Sequence, residues 1–353
     1  MRATMRDVAK LAGVSHTTVS NVVNNIPKVS EATRKRVISA MKQLDFQPNL
    51  AARSLYTKRS FIVGYMVPAI TNEFFMNVAR GAEKVLYRES TGLFLCETGL
   101  VPEREADYLR RLIGHGVDGV IANYIANKRM INDAIRAGIP IVAIESPSDE
   151  PRISLVEVDN AGAAMLAVEH LAGLGHRQIS VISIDFESNV NRERLRGFVN
   201  GQKIHDLEPR SDLLVSLASL GDENGYFDHT SDPASSTVIL HRQFSGIVEG
   251  LLRLEHPPTA VLCFDYQTTV LLMRSLANLA ITPGKELSVV GFDIPSSICI
   301  PRVTTISQPA AEMGSLAAQL LLERITDPGA EPRSVKLSAQ LTVGDTSGPA
   351  QRQ

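Results

Sequence analysis

His16, Thr17 and Asn21 fall within one stretch of six residues, and each has a short side chain that can donate or accept hydrogen bonds. Groups of this kind at the start of a helix can meet base edges in the major groove of DNA. The segment that holds them runs M-R-D-V-A-K-L-A-G-V-S-H-T-T-V-S-N-V-V-N from Met5, the spacing of a helix-turn-helix. Ala9 is the small residue where two helices cross, Gly13 can take the left-handed turn between them, and Val19 and Val22 face back into a small core. The second helix of such a unit enters the groove, which places His16, Thr17 and Asn21 at the bases. Contact with phosphate alone is the other reading for His16 and Thr17, because half or more of protein–DNA hydrogen bonds go to the backbone. The hydroxyls of Thr4, Ser15, Thr18, Ser30 and Thr33 lie at or near helix starts, where they suit phosphate and also suit capping.

The charge distribution points the same way. The first sixty residues carry eleven Lys/Arg against three Asp/Glu, a net of +8, and the remaining 293 carry a net of −10. A basic head on an acidic body fits a polyanion binder joined to a part that need not touch the polyanion. At 353 residues with 44% apolar content, the chain has material for two or three domains with aliphatic cores. It has no run of eighteen apolar residues and no signal-peptide core near its start, so a cytoplasmic protein without a membrane partner is expected. Cys96, Cys263 and Cys299 are far apart in or beside apolar stretches and read as core thiols, with neither metal nor cofactor expected.

The elements that must carry these groups can be placed from periodicity and caps. Helix one is expected over 5–12 with Thr4 as N-cap and Asp7 three residues on, helix two over 16–24 after Ser15, and a third after Ser30 with Val37, Met41 and Leu44 as its apolar stripe. Residues 47–60 hold a short helix after Pro48, from Asn49 to Leu55, that is marginal by itself. From Phe61 the rhythm changes to apolar strands alternating with amphipathic helices. Strands are expected at 61–67, 93–98, 119–125, 140–145, 155–158, 179–184, 213–217, 260–264, 287–292 and 335–343. Alternation of this kind gives an α/β fold of parallel sheets covered by helices, and ten strands divide most economically into two similar lobes. The expected domains are 1–46, a hinge and linker at 47–60, and a two-lobed body over 61–353. Ligands of such folds sit beyond the C-terminal strand ends, here between the lobes.

Over nearly the whole chain the sequence resembles the lactose/galactose repressor family of bacterial transcriptional regulators. The matching stretches include D-V-A-K-L-A-G-V-S-H-T-T-V-S, P-N-L-A-A-R-S-L, G-V-D-G-V-I, R-L-R-G-F at 194–198, L-S-V-V-G-F-D at 287–293 and V-T-T-I-S-Q-P at 303–309. The resemblance implies a helix-turn-helix head on a periplasmic-binding-protein-like, effector-binding body, acting as a homodimer on double-stranded operator DNA. It also assigns base readout to His16, Thr17 and Asn21. Many relatives have Arg where this chain has Asn21, so adenine readout is expected in place of guanine. In the family, paired hinge helices press a leucine into the minor groove; Leu55 matches that leucine, and Asn49, Ala52 and Arg53 match the hinge pattern. Without the resemblance, Leu55 would read as a linker residue packing on the next domain.

For the effector, family positions carried over one by one give Phe74, Phe75, Asn123, Glu145, Arg194 and Asp293. Arg194 and Asp293 are expected to clamp one small molecule from opposite lobes, with a structural ion pair between lobes as the other reading. One or both phenylalanines could be ordinary core. Where many relatives have A-N-D this chain has Cys263-Phe264-Asp265, which puts an aromatic ring in place of a sugar-binding amide and brings Phe264 and Asp265 into the expected set. Glu145 stands where Asp is common, and Val190 where a small hydroxyl residue is frequent. The polar stretch 222–239 exceeds the usual family length and reads as a solvated loop. A sugar or sugar derivative is the effector that the resemblance implies, although these departures fit a simple hexose poorly. A transport-type solute-binding protein shares the body but not the head. An enzyme is not supported, since the chain has no G-K-[ST] or G-x-S-x-G motif.

Overall fold

The structure, a computed structural model, describes residues 3–23, 26–47, 59–125, 128–146, 150–217, 244–295 and 301–351. They form two compact units, one of residues up to 61 with 116–118 and one of the remainder. In the first unit, α1 (Met5–Ala12), α2 (His16–Val23) and α3 (Glu31–Gln43) enclose Val8, Ala9, Ala12, Val19, Val22, Val37 and Ala40. Local chemistry sets each boundary. Thr4 and Asp7 form a capping box, with Thr4 N donating to Asp7 Oδ2 at 2.9 Å. Gly13 ends α1 in the left-handed region at φ +62°, where a side chain would be strained. Ser15 and Ser30 accept from the backbone N–H of Thr18 and Thr33 at 3.1 and 3.4 Å. The hinge assignments to Asn49, Ala52, Arg53 and Leu55, the segment 222–239 and Cys299 lie outside the described residues.

The second unit contains two six-stranded sheets. One has β1 (Ile62–Val67), β2 (Gly92–Glu97), β3 (Gly119–Asn123), β4 (Ile141–Ile144), β5 (Ser154–Val158) and β11 (Ser334–Leu337), in the order β11-β5-β4-β3-β1-β2 and parallel throughout. The other has β6 (Ile179–Ser183), β7 (Leu214–Ser216), β8 (Ala260–Cys263), β9 (Ser288–Phe292), β10 (Thr304–Ser307) and β12 (Gln340–Thr342). Its order is β12-β10-β9-β8-β6-β7, with only β12 antiparallel to its neighbour. Strands β3, β4, β6, β8 and β9 are buried along their whole length, as required when helices cover both faces.

Helix assignment shows how the lobes are tied. The first sheet packs with α4 (Glu73–Arg88), α5 (Pro102–Gly114) and α6 (Lys128–Arg136), and the second with α8 (Asn189–Ile204), α9 (residues 244–252) and α10 (Tyr266–Asn278). Each lobe also holds a helix reached from the other. α7 (Asn160–Gly173) follows β5 but packs on β10, β12 and α8, whereas α11 (Ala310–Thr326) follows β10 but packs on α4, β3, β4 and β5. Glycines allow the close approach of these helices. A Cβ on Gly81 would lie 1.9 Å from Ala311 O, one on Gly314 1.9 Å from Val78 O, and one on Gly197 2.0 Å from Ala161 O.

Among the described residues the chain therefore crosses between lobes three times, at Asp159, at Gln308–Pro309 and at Ser338–Ala339. Two crossings touch, since Asp159 N donates to Leu337 O at 2.8 Å. The expected single strand over 335–343 is thus two strands, β11 and β12, in different sheets. A strand absent from the expectation, β10, is buried despite its threonines. Thr304 N donates to Thr346 Oγ1 at 2.9 Å and Thr304 Oγ1 lies 2.7 Å from Ser347 Oγ, so the C-terminal tail satisfies its polar groups.

Candidate functional site

On the head, Ser15, His16 and Thr17 are exposed at the start of α2, with Thr18 and Asn21 half-buried, while Val19 and Val22 face the core. The helix thus presents its first turn outward on a packed back. Thr4, Ser15 and Ser30 are exposed N-caps whose side chains already accept a backbone N–H, and Thr33 is half-buried beside Ser30.

In the second unit a cavity of ≈ 230 Å³ opens at the C-terminal strand ends of both lobes, where doubly wound folds bind ligands. The first lobe contributes Ala69 after β1, Phe75 from the first turn of α4 and Tyr124 after β3; the second contributes Asn191 and Arg194 from α8 and Gln267 from α10. Phe75 meets Tyr124 edge to face, with ring centroids 5.9 Å apart, and the two make an aromatic wall.

Arg194 is 4% exposed and is held on three sides. Its Nε donates to Asn160 Oδ1 at 2.9 Å, Nη1 donates to Phe264 O, and the guanidinium lies 4.0 Å from the Phe292 ring centroid. Its Nη2 is buried with no hydrogen-bond partner. Asn160 in turn donates through Nδ2 to Glu145 Oε2 at 2.7 Å, and Glu145 Oε1 accepts from Val158 N at 2.5 Å.

Three carboxylates surround this arginine, and burial dominates all of them. Desolvation raises Glu145 to about 7 against the pull of Asn160 and Arg194. It also pushes Asp265 and Asp293 upward, opposed by hydrogen bonds and by Arg194. Tyr124, Glu145 and Asp293 each end a strand with positive φ, at 49°, 51° and 52°, a conformation that non-glycine residues seldom adopt and that concentrates at functional sites.

The structure separates the expected effector residues into two groups. Phe75, Arg194 and Asp265 line the cavity. Phe74 is 6% exposed in the hydrophobic core. Phe264 has no exposure, and its ring packs on Phe186 and Phe292. Asn123 accepts from Tyr65 Oη at 2.7 Å. Glu145 serves the crossover as described. Asp293 accepts from Gln308 N at 2.8 Å and from Gln308 Nε2, so it secures the second crossing. The expected clamp from opposite lobes is therefore corrected, because α8 and the turn after β9 belong to the same lobe. Asp265 also caps α10, accepting Thr268 N at 2.7 Å.

Tyr124, Asn191, Gln267 and Asn160 were not anticipated. The strand-end rule could have pointed to Tyr124, one residue beyond Asn123, and Asn191 stands one helical turn before Arg194. Nothing in the periodicity marks Gln267, or Asn160, which follows a helix cap. Among the described residues no group of metal ligands is assembled, and no helix is long and apolar enough to cross a membrane.

Residues 4–49 match the family profile of bacterial regulatory proteins, lacI family. Residues 60–220 match periplasmic binding proteins and sugar binding domain of LacI family, and residues 168–347 a periplasmic binding protein-like domain. An HTH-type transcriptional repressor PurR of Vibrio cholerae serotype O1 (strain M66-2) is 31% identical over 348 residues, covering 98% of both chains. The repressor of the same name from Aliivibrio salmonicida (strain LFI1238) is 29% identical, covering 97% of this chain and 98% of its own. Among solved structures, the transcriptional regulator CelR–cellobiose complex is 25% identical with a TM-score of 0.67, covering 98% of this chain and 100% of the other. The lac repressor dimer bound to operator and the anti-inducer ONPF is alike in fold, with a TM-score of 0.77 at 24% identity over 99% of this chain and 100% of that one.

Proposed function

Because this chain belongs to the lacI family of bacterial regulatory proteins, and is a DNA-binding transcriptional regulator with a small-molecule effector, we propose that the cavity around Arg194 sets the DNA affinity of its helix-turn-helix head. The observation that carries this reading is the buried, unpartnered Nη2 of an otherwise fully held Arg194 on the cavity wall. A charged donor fixed in advance and without a hydrogen-bond partner is what a site needs to orient a ligand.

In this reading the protein is a cytoplasmic repressor without enzymatic activity. It binds a pseudo-palindromic operator as a homodimer, with His16, Thr17 and Asn21 at base edges. Residues 47–60 act as the hinge between a 1–46 head and a 61–353 body, and Leu55, flanked by Asn49, Ala52 and Arg53, wedges into the minor groove. The effector is compact, since ≈ 230 Å³ lies below the range of about 300–1,000 Å³ common for drug-sized ligands. A sugar derivative is supported by the cellobiose complex of CelR and by a LacI-family regulator of Enterococcus faecium with bound ribose.

Gel retardation of DNA fragments flanking the gene, with and without a panel of sugars, tests the coupling. Ligand and DNA must change each other's affinity by the same factor. Arg194→Ala should bind DNA like the unaltered protein and lose the response. A normal ligand response in a folded Arg194→Ala protein would place the effector elsewhere.

A further inference from the structure

Gln267 lies in the first turn of α10, and its Oε1 is buried without a hydrogen-bond partner; the same holds for Arg194 Nη2, and both residues line the same cavity. One atom is an acceptor and the other a charged donor. Each is strongly destabilised when desolvated and unpaired, so a molecule that offers a donor to the first and an acceptor to the second would complete both.

The surroundings decide which molecules qualify. Arg194 already interacts with Glu145, Asp265 and Asp293, and Asp265 itself stands on the cavity wall. A carboxylate entering here would be the fourth acid around a single arginine, and it would set an acceptor against Gln267 Oε1. The N-terminus of α10, which could otherwise attract an anion, is occupied by Asp265, which accepts the N–H of Thr268 at 2.7 Å.

We infer that Gln267 is a specificity-determining residue of the cavity, selecting an uncharged ligand that offers both a hydrogen-bond donor and an acceptor, as hydroxyl and amide groups do, over the matching carboxylate. This rests on the reading of the cavity as the effector site.

The test uses the full chain and matched uncharged and acidic probes: D-glucose with D-glucuronate, D-galactose with D-galacturonate, and nicotinamide with nicotinate. Thermal-shift measurements should show stabilisation by an uncharged member and none by its acid. With the strongest stabiliser, Gln267→Leu should weaken binding about tenfold, the scale of one lost hydrogen bond to an uncharged group. Gln267→Met, which removes the acceptor while keeping the length of the side chain, should weaken binding by a similar factor and serves if the leucine variant does not fold; unchanged affinity in a folded Gln267→Met protein counts equally against the inference. An acid that stabilises more than its partner, no stabilisation by any uncharged probe, or unchanged affinity in Gln267→Leu overturns the inference. A probe that shows the Gln267 pattern but leaves DNA retention unchanged upholds this inference and overturns the regulatory reading, so the two fail separately.

Discussion

Arg194 Nε donates to Asn160 Oδ1 at 2.9 Å, and Asn160 is the first residue of α7, immediately after the crossing at Asp159. The cavity wall and the end of β5 thus share one hydrogen-bonded line, Arg194 to Asn160 to Glu145 to Val158. The guanidinium is thereby linked through two buried side chains to the end of β5, next to the crossing at Asp159.

Asn160→Ala should leave Arg194 Nε and Glu145 Oε2 without partners. About 1–3 kcal/mol of stability is expected to be lost, the penalty for stranding a buried polar group, together with weaker effector binding. Urea denaturation and ligand titration check both. A loss of stability with full effector affinity would make Asn160 structural only.

Glu145 should give stability a pH dependence of its own. Its value of about 7 stands above the ordinary 4.5 because burial disfavours the charged form. The folded chain therefore holds the proton more tightly than the unfolded chain. The resulting stabilisation is complete below about pH 4.5 and is lost as pH rises through about 7, at most about 3 kcal/mol in total. Glu145→Gln has no such titration, so the stability difference between the two proteins should change between pH 4.5 and 7 and level off above. A difference that is flat with pH would show that Glu145 titrates normally.

Gly81→Ala should disrupt the contact between α4 and α11, since its Cβ would lie 1.9 Å from Ala311 O and backbone cannot move aside as a side chain can. A loss of about 1–3 kcal/mol or more is expected, as for other overpacking. Gly250→Ala is the control: it lies in α9 with open space around the new Cβ and should stabilise by about 0.5–1 kcal/mol through helix propensity. Thermal melts of both variants decide the matter.

Asn21→Arg should change the preferred base pair at one symmetric operator position, with about 1–3 kcal/mol at stake in a bidentate contact. Asn21 stands on α2 with its side chain half-buried. Selection from randomised sites would show the change, and an unaltered preference would remove Asn21 from the readout set.

What the sequence revealed follows the range of the forces involved. The start and turn of the head were legible because they are set locally, with Thr4 and Asp7 capping each other and Gly13 turning the chain. Buried parallel strands such as β3 and β8 were legible as apolar runs. β10 was not, because Thr304 is accommodated by Thr346 and Ser347, some forty residues away in sequence. Arg194 stood out by its motif, but the position of Asp293 depends on Gln308, a partner that no spacing announces. Gln267 and Asn160 matter through what surrounds them, which appears only once two lobes are assembled.

The exchange of α7 and α11 between lobes also constrains biosynthesis. Residues 62–158 supply five strands of the first sheet, yet the helix that covers β3, β4 and β5 begins only at Ala310 and β11 only at Ser334. A nascent chain therefore cannot complete its first lobe before nearly all of it has left the ribosome. Until then β5 has no neighbour on the side that β11 will take, and the strand edge it presents is the kind that recruits other chains. The interval between emergence of β5 and arrival of β11 is therefore the one in which this strand edge stands unpaired.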